Sequence, residues 1–234
     1  MKKFVQFIVL FFFTLNCFSQ ENENNDIPPT KEDQIIFDIS IPILLNTPNE
    51  LQQTWGSTSI NFNLFKDIPF GKGNVGLATG IAFGWDGYEN NLNIETNPIN
   101  GNGKYEFLAD DSTYNSNKLR TLFVDIPIEF RLRTNKNKNG NYFRVYLGAK
   151  AGYLLKSFSK HKNEESHQRF YNIQELNKVR YGVTTRIGFA NWNIFAYYQL
   201  SSLIDGDKNT INEMSDFGHF KLMNPLSIGI SFNF

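Results

Sequence analysis

From Gln34 onward, apolar and polar positions alternate with a period of two, which marks strands whose two faces meet different surroundings. Ile35, Phe37, Ile39, Ile41 and Ile43 stand on one face, and Ile36, Asp38, Ser40, Pro42 and Leu44 on the other. Leu226, Ile228, Ile230, Phe232 and Phe234 alternate with Ser227, Gly229, Ser231 and Asn233 in the same way. Between them the pattern recurs over residues 58–66, 75–86, 119–133, 142–156, 178–190 and 192–203, which predicts eight strands and no helix. Many of these segments exceed the five or six residues usual in soluble sheets and reach the roughly 9 to 11 that cross a bilayer at a tilt.

The connections alternate in length. Residues 67–74, residues 134–141 and the single residue Asn191 follow strands two, four and six, whereas 46–56, 87–118, 157–177 and 204–221 follow strands one, three, five and seven. Outer-membrane barrels keep short turns on the periplasmic side and long loops outside. The expected fold is therefore all-β, an eight-stranded antiparallel up-and-down transmembrane β-barrel over residues 34–234, surrounded by outer-membrane lipid and with its N-terminus in the periplasm. In that orientation Phe37, Phe130, Phe143, Phe189, Trp192, Phe232 and Phe234 fall at the periplasmic ends of apolar faces. They would form an aromatic girdle at one lipid–water interface. Trp85, Tyr88, Tyr153 and Tyr181 would make a looser ring at the other.

If the aliphatic face meets lipid, the opposite face lines the lumen. It carries Asp125, Glu129 and Arg131 on strand four, Arg144 and Lys150 on strand five, and Arg180 and Arg186 on strand six. Strand three offers Gly76, Ala78, Gly80, Ala82 and Gly84 on that face. An eight-stranded barrel is only wide enough to be filled by side chains, so small residues on one wall leave room for long charged ones on the other. Counting through the 134–141 turn sets Asp125 about opposite Lys150 and brings Glu129 within reach of Arg186 across Gly148. The expectation is a lumen plugged by an ion-pair network.

Composition adds limits. The chain has 234 residues, 23 Lys+Arg against 23 Asp+Glu, and a mean hydropathy of −0.37. No basic excess is present to displace counterions from nucleic acid. A single cysteine excludes a disulfide scaffold or thiolate zinc site. Residues 1–20 read as a secretory signal peptide, with Lys2 and Lys3 before an apolar run from Phe4 to Leu15. Cys17 offers lipid attachment instead, but Thr14, Leu15 and Asn16 suit that processing poorly. Residues 21–33, polar and containing Pro28 and Pro29, are expected to be a flexible periplasmic leader.

Motifs that resemble chemistry find bland explanations. Gly71, Gly73 and Gly76 match G-x-G-x-x-G, but a strand follows where a nucleotide fold needs a helix. Asp216, Phe217 and Gly218 form a bare D-F-G without the rest of a kinase. His161, His167 and His219 all fall in long loops; Glu164 and Glu165 lie between the first two, and Asp110 and Asp111 are a further adjacent pair. Loop spacing fixes no ligand or acid–base geometry. The expectation is a non-enzyme with no cofactor and no metal. Tyr88, Tyr105, Phe107 and Tyr114, set among Asn and Gly in the 87–118 loop, suit adaptable contact with a protein partner at the outer loops.

Several segments resemble the PorT-like outer-membrane β-barrel family of Gram-negative bacteria. They are Leu-Phe-Val-Asp-Ile-Pro-Ile-Glu-Phe at 122–130, Tyr-Leu-Gly-Ala-Lys-Ala-Gly-Tyr-Leu-Leu at 146–155, residues 182–188, Tyr-Tyr-Gln-Leu at 197–200 and Ile-Gly-Ile-Ser-Phe-Asn-Phe at 228–234. The resemblance implies a structural or interaction role in the cell envelope, with an accessory part in protein secretion. It also implies that Phe234 is read by the barrel-assembly machinery during biogenesis. The competing class is a soluble exported lipocalin-like barrel binding a small apolar ligand, with its aliphatic face turned inward.

Overall fold

The structure, a computed structural model, describes residues 33–71, 73–96, 103–108, 114–163, 167–205 and 223–234. The expected signal peptide, residues 21–32 of the expected leader, Asp110, Asp111, Glu164, Glu165, His219 and the Asp216–Phe217–Gly218 motif lie outside the described residues.

Eleven strands are present among the described residues: β1 (Ile35–Leu45), β2 (Thr58–Phe70), β3 (Val75–Glu89), β4 (Leu92–Thr96), β5 (Gly103–Phe107), β6 (Tyr114–Arg133), β7 (Phe143–Asn163), β8 (His167–Tyr171), β9 (Val179–Phe189), β10 (Trp192–Gln199) and β11 (Asn224–Asn233). Eight of them, β1, β2, β3, β6, β7, β9, β10 and β11, pair each with its neighbour, and β1 pairs with β11. The result is a closed eight-stranded antiparallel β-barrel, and closure removes the unpaired edges that an open sheet would expose. The remaining three strands belong to the long connections: β4 and β5 form a hairpin, and β8 pairs antiparallel with the outer segment of β7.

Four strands, β2, β3, β6 and β7, run past the bounds that the alternation predicts. β6 begins at Tyr114 and β7 runs to Asn163, because their mutual pairing continues past the barrel rim into the two longest connections. β2 likewise continues to Phe70, so Asp67 belongs to the wall and the turn shrinks to residues 71–74. Gly71 and Gly73 have φ of 53° and 89°, the left-handed region that glycine enters without steric cost. That turn accounts for the first two glycines of the G-x-G-x-x-G pattern, and Gly76 is simply on β3.

Side-chain direction follows the period of two. Ile39, Ile41, Leu64, Ile126, Ile128, Leu147, Ile187, Ile194 and Ile230 are exposed on the outer wall, whereas Asp38, Asn61, Asn63, Asp125 and Ser231 are buried inside. The lipocalin-like alternative requires the opposite assignment. From Phe189 to Tyr181 the outer wall of β9 advances eight residues, about 27 Å along the strand and about 20 Å along the barrel axis at a usual tilt.

The short connections and the paired ends of β1 and β11 define one end of the barrel, the turn end; the four long connections define the loop end. At the turn end Phe37, Phe232, Trp192, Phe189 and Phe143 are successive cross-strand partners over five strands. Phe130 lies opposite Leu147 on β7, and Phe234 is exposed after β11. Phe70, which the alternation alone leaves in a turn, adds a seventh strand to this ring. At the loop end Trp85, Tyr153 and Tyr181 are exposed, but Tyr88 is not. It has the parity of the buried Asp86 and points inward, which corrects its expected place in the outer ring.

Candidate functional site

The barrel interior concentrates ionised groups. Asp33, Asp38, Asp67, Asp86, Asp125 and Glu129 are buried there with Arg131, Arg144, Lys150, Arg180 and Arg186, and the Arg133 side chain is 5% exposed. Every one of these cations has a carboxylate within ion-pair distance. An isolated buried charge is prohibitively costly, so this pairing is what permits the composition.

The groups form three tiers along the axis. Nearest the turn end, Arg133 clamps Asp67 with two 2.9 Å bonds, and Arg131 bonds Asp67 at 3.2 Å and Glu129 at 3.0 Å. Arg144 Nη1 donates to Asp33 at 2.7 Å, Tyr142 donates to the same carboxylate at 2.9 Å, and Tyr146 makes a third bond to it. Burial raises the Asp33 carboxyl, but Arg144 and the bonds from Tyr146, Asn233 and Tyr142 bring it below its ordinary value. In the middle tier Arg186 lies between Asp38, at 2.8 Å, and Glu129, while Asn63 donates to Asp38 at 2.9 Å. In the upper tier Arg180 makes bonds of 2.8 and 2.6 Å to the two Asp125 oxygens and one of 2.6 Å to Asp86. Lys150 stands 3.5 Å from Asp125 and 3.4 Å from Asn61.

Aromatic rings fill the space between tiers. Arg131 lies 4.6 Å from the Phe65 ring centroid and 4.8 Å from that of Tyr146. Arg180 covers Phe123 at 4.0 Å, Arg186 covers Phe195 at 4.7 Å, and Lys150 covers Tyr197 at 4.0 Å. Such stacking adds cation–π attraction where water is scarce. Room for the guanidinium groups comes from glycine: a Cβ on Gly84 would collide with Arg180 and sit 2.8 Å from Asn61 Oδ1, and one on Gly152 would sit 2.9 Å from Asp125 Cγ.

Above the upper tier the character changes. Leu44, Leu51, Tyr88, Leu92, Ile94, Leu119, Ile173, Leu176, Leu203, Ile204 and Met223 form one buried apolar cluster, with Phe107 and Leu154 packed against it. All four long connections contribute to it. Gln53 fastens the first connection by accepting from Leu44 N at 2.8 Å and donating to Ser57 at 3.0 Å. Asn91 ties the first to the second by donating to Glu50 O at 2.9 Å. Leu176 and Ile204 join the third and fourth through a β-bridge. Tyr88 and Phe107, expected among adaptable surface aromatics, are instead part of this cap or packed on it, because they share its inward side.

The seven charged residues that the alternation assigns to the lumen face, Asp125, Glu129, Arg131, Arg144, Lys150, Arg180 and Arg186, are all buried on the inner wall. Their partners differ in detail from the counting argument. Asp125 faces Gly152, and Lys150 is opposite Pro127, a diagonal that makes Arg180 the closer partner of Asp125. Glu129 does face Gly148 and contacts Arg186. Asp33, Asp38, Asp67, Asp86 and Arg133 are further members that the sequence argument misses. Asp38, Asp86 and Arg133 have inward parity, and Asp67 has it once β2 is extended, so these four are available from the alternation. Asp33 stands in the expected leader. His161 is half-buried on β7, and His167 opens β8. Among the described residues no group of three or more His, Cys, Asp or Glu is placed to hold a metal ion.

No curated protein and no solved structure matches the chain. Residues 18–206 match the family described as outer membrane protein beta-barrel domain, and the chain belongs to that family.

Proposed function

We propose that this outer-membrane barrel is closed to passage, performs no catalysis, and serves as a scaffold whose loop end meets a protein partner. The observation that carries this reading is the filled interior: paired ions in three tiers under an apolar cap to which every long connection contributes. An eight-stranded wall leaves little space beyond its own side chains, and here those side chains bind one another. The ring of aromatics at the turn end supports a periplasmic position for the short turns and for the chain's N-terminal side. Phe234, 72% exposed at the end of β11, is accessible to the barrel-assembly machinery. The PorT-like resemblance supports an accessory role in protein secretion.

Planar-bilayer recording on the purified protein tests closure: absence of steady conductance is expected, and a stable open channel would overturn the reading. Affinity capture of the intact protein from detergent-solubilised outer membrane tests the role. Reproducible recovery of secretion components is expected for the accessory function, and recovery of the barrel alone counts against it.

A further inference from the structure

Above the apolar band, the outward face of β6, β7 and β8 carries a charge pattern that strand pairing disfavours. Lys118, Lys160 and Arg169 are direct cross-strand partners, so three cations stand side by side at the strand spacing of about 4.8 Å. Like charges in that position repel. Glu89 bonds Lys118 at 2.9 Å, but among the described residues neither Lys160 nor Arg169 has a carboxylate partner. One row nearer the band, Arg120, Phe158 and Tyr171 are cross-strand partners, and Lys156 lies 5.7 Å from the Tyr171 ring centroid.

The wall is interrupted beside these cations. β7 holds an extra residue between the partners of Leu122 and Phe123, which leaves Leu155 and Lys156 both exposed. Bulges of this kind re-aim side chains. β9 accompanies β7 only as far as the Tyr153–Val179 pair, and β8 takes over at Phe158–Tyr171. Between them opens a cleft of about 630 Å³, lined in part by Tyr153, Leu155, Lys156 and Lys178. Tyr153 and Leu155 continue the lipid-facing surface, and the two lysines stand exposed at its upper border.

We propose that this patch and cleft bind the phosphorylated headgroup of a membrane lipid, with its acyl chains along Tyr153, Leu155 and the band below. The cations supply charge-assisted contacts to phosphate, and the lipid phosphate relieves the repulsion along the Lys118–Lys160–Arg169 row. A soluble anion would satisfy the charges but leave the exposed Tyr153 and Leu155 at the cleft's edge without a role. That the lipid comes from the outer leaflet rests on the proposed orientation; the binding chemistry itself does not.

The test is native mass spectrometry of the full chain in detergent micelles, titrated with bisphosphorylated lipid A, with the same lipid dephosphorylated, and with inorganic phosphate. The phosphorylated lipid is expected to bind in preference. The Lys156→Gln/Lys160→Gln/Arg169→Gln variant should lose roughly a hundredfold in affinity for it, whereas Lys138→Gln in a turn at the opposite end should lose nothing. Heat-modified gel mobility shows whether the triple variant is folded; if it is not, the three single variants are titrated and each should weaken binding. Equal binding of the dephosphorylated lipid, displacement by millimolar inorganic phosphate, or unchanged affinity in folded variants would overturn the proposal. Because micelles impose no sidedness, such a failure leaves the orientation intact, and surface proteolysis of cells tests that separately.

Discussion

Arg180 is the residue whose loss should damage the barrel most. It satisfies both oxygens of Asp125 and one of Asp86 at 2.6 to 2.8 Å, and it lies over the Phe123 ring. Arg180→Met keeps much of the volume but leaves two buried carboxylates near each other, with Lys150, 3.5 Å from Asp125, as the remaining cation. Removing one partner from a buried pair costs about 3 to 5 kcal/mol. Two acids lose bonds here, so the upper end, about 5 kcal/mol, is expected. Lys150→Met leaves the Arg180 clamp on Asp125 intact and removes one long contact, for which about 1 to 2 kcal/mol is appropriate.

Urea unfolding of the folded protein in detergent, followed by the heat-modifiable gel shift, separates these cases. With a slope of about 2 kcal/mol per molar, Arg180→Met should lower the midpoint by roughly 2.5 M and Lys150→Met by less than about 1 M. Adding Asp125→Asn and Asp86→Asn to Arg180→Met removes the stranded charges and should recover most of the loss. If Lys150→Met is as damaging as Arg180→Met, or if the added neutralisations recover nothing, the assignment of Arg180 as the principal partner is wrong.

Other consequences are simpler to check. Gly84→Ala drives a methyl group into the space of Arg180 and Asn61 and should cost about 1 to 3 kcal/mol in the same urea assay. The Asp33 carboxyl lies below its ordinary value of 3.8 in the folded protein, so its contribution is fully present above the unfolded value and is lost as pH falls through the folded one. Asp33→Asn should therefore lower stability by a constant amount at about pH 6 to 8, and the gap from the parent should close below about pH 4. In single-tryptophan variants, Trp192 and Trp85 should be quenched by brominated lipid. Trp55, which is 90% exposed at the loop end, should instead respond to aqueous iodide.

The alternation makes the wall legible because it is a local property: each strand's two faces differ in chemistry whatever its neighbours are. Thus Ile39 outward and Asp125 inward can be assigned from sequence, as can the strand order and the alternating connections. Partners across the lumen depend on strand tilt and stagger, which no single segment encodes. Counting through the turn consequently sets Lys150 about opposite Asp125, while the observed register sets Lys150 against Pro127. Asp33 and Tyr88 show the other limit. The first follows a polar, proline-containing stretch yet is held inside by Arg144, Tyr142 and Tyr146. The second groups with the outer aromatics by residue type, although its parity points inward. Leu44, Tyr88 and Leu119 of the cap come from strand ends, but its other apolar residues are dispersed over four connections with no period, so only folding brings them together.

On the proposed closed reading, the two ends of the lumen are blocked by different forces, and this difference bears on gating. Near the turn end, and through the middle, a passage would require pulling at least one guanidinium from its carboxylates, for about 3 to 5 kcal/mol. At the loop end the obstacle is apolar, and opening would expose Leu, Ile and Tyr side chains to water. Even the ion-tier barrier alone, at about 5 kcal/mol, leaves an open population on the order of 10⁻⁴. The two costs arise in separate layers, so relief of one does not relieve the other. A ligand acting at the cap could rearrange the loop end and still leave the ion tiers closed, which favours surface recognition over regulated conduction.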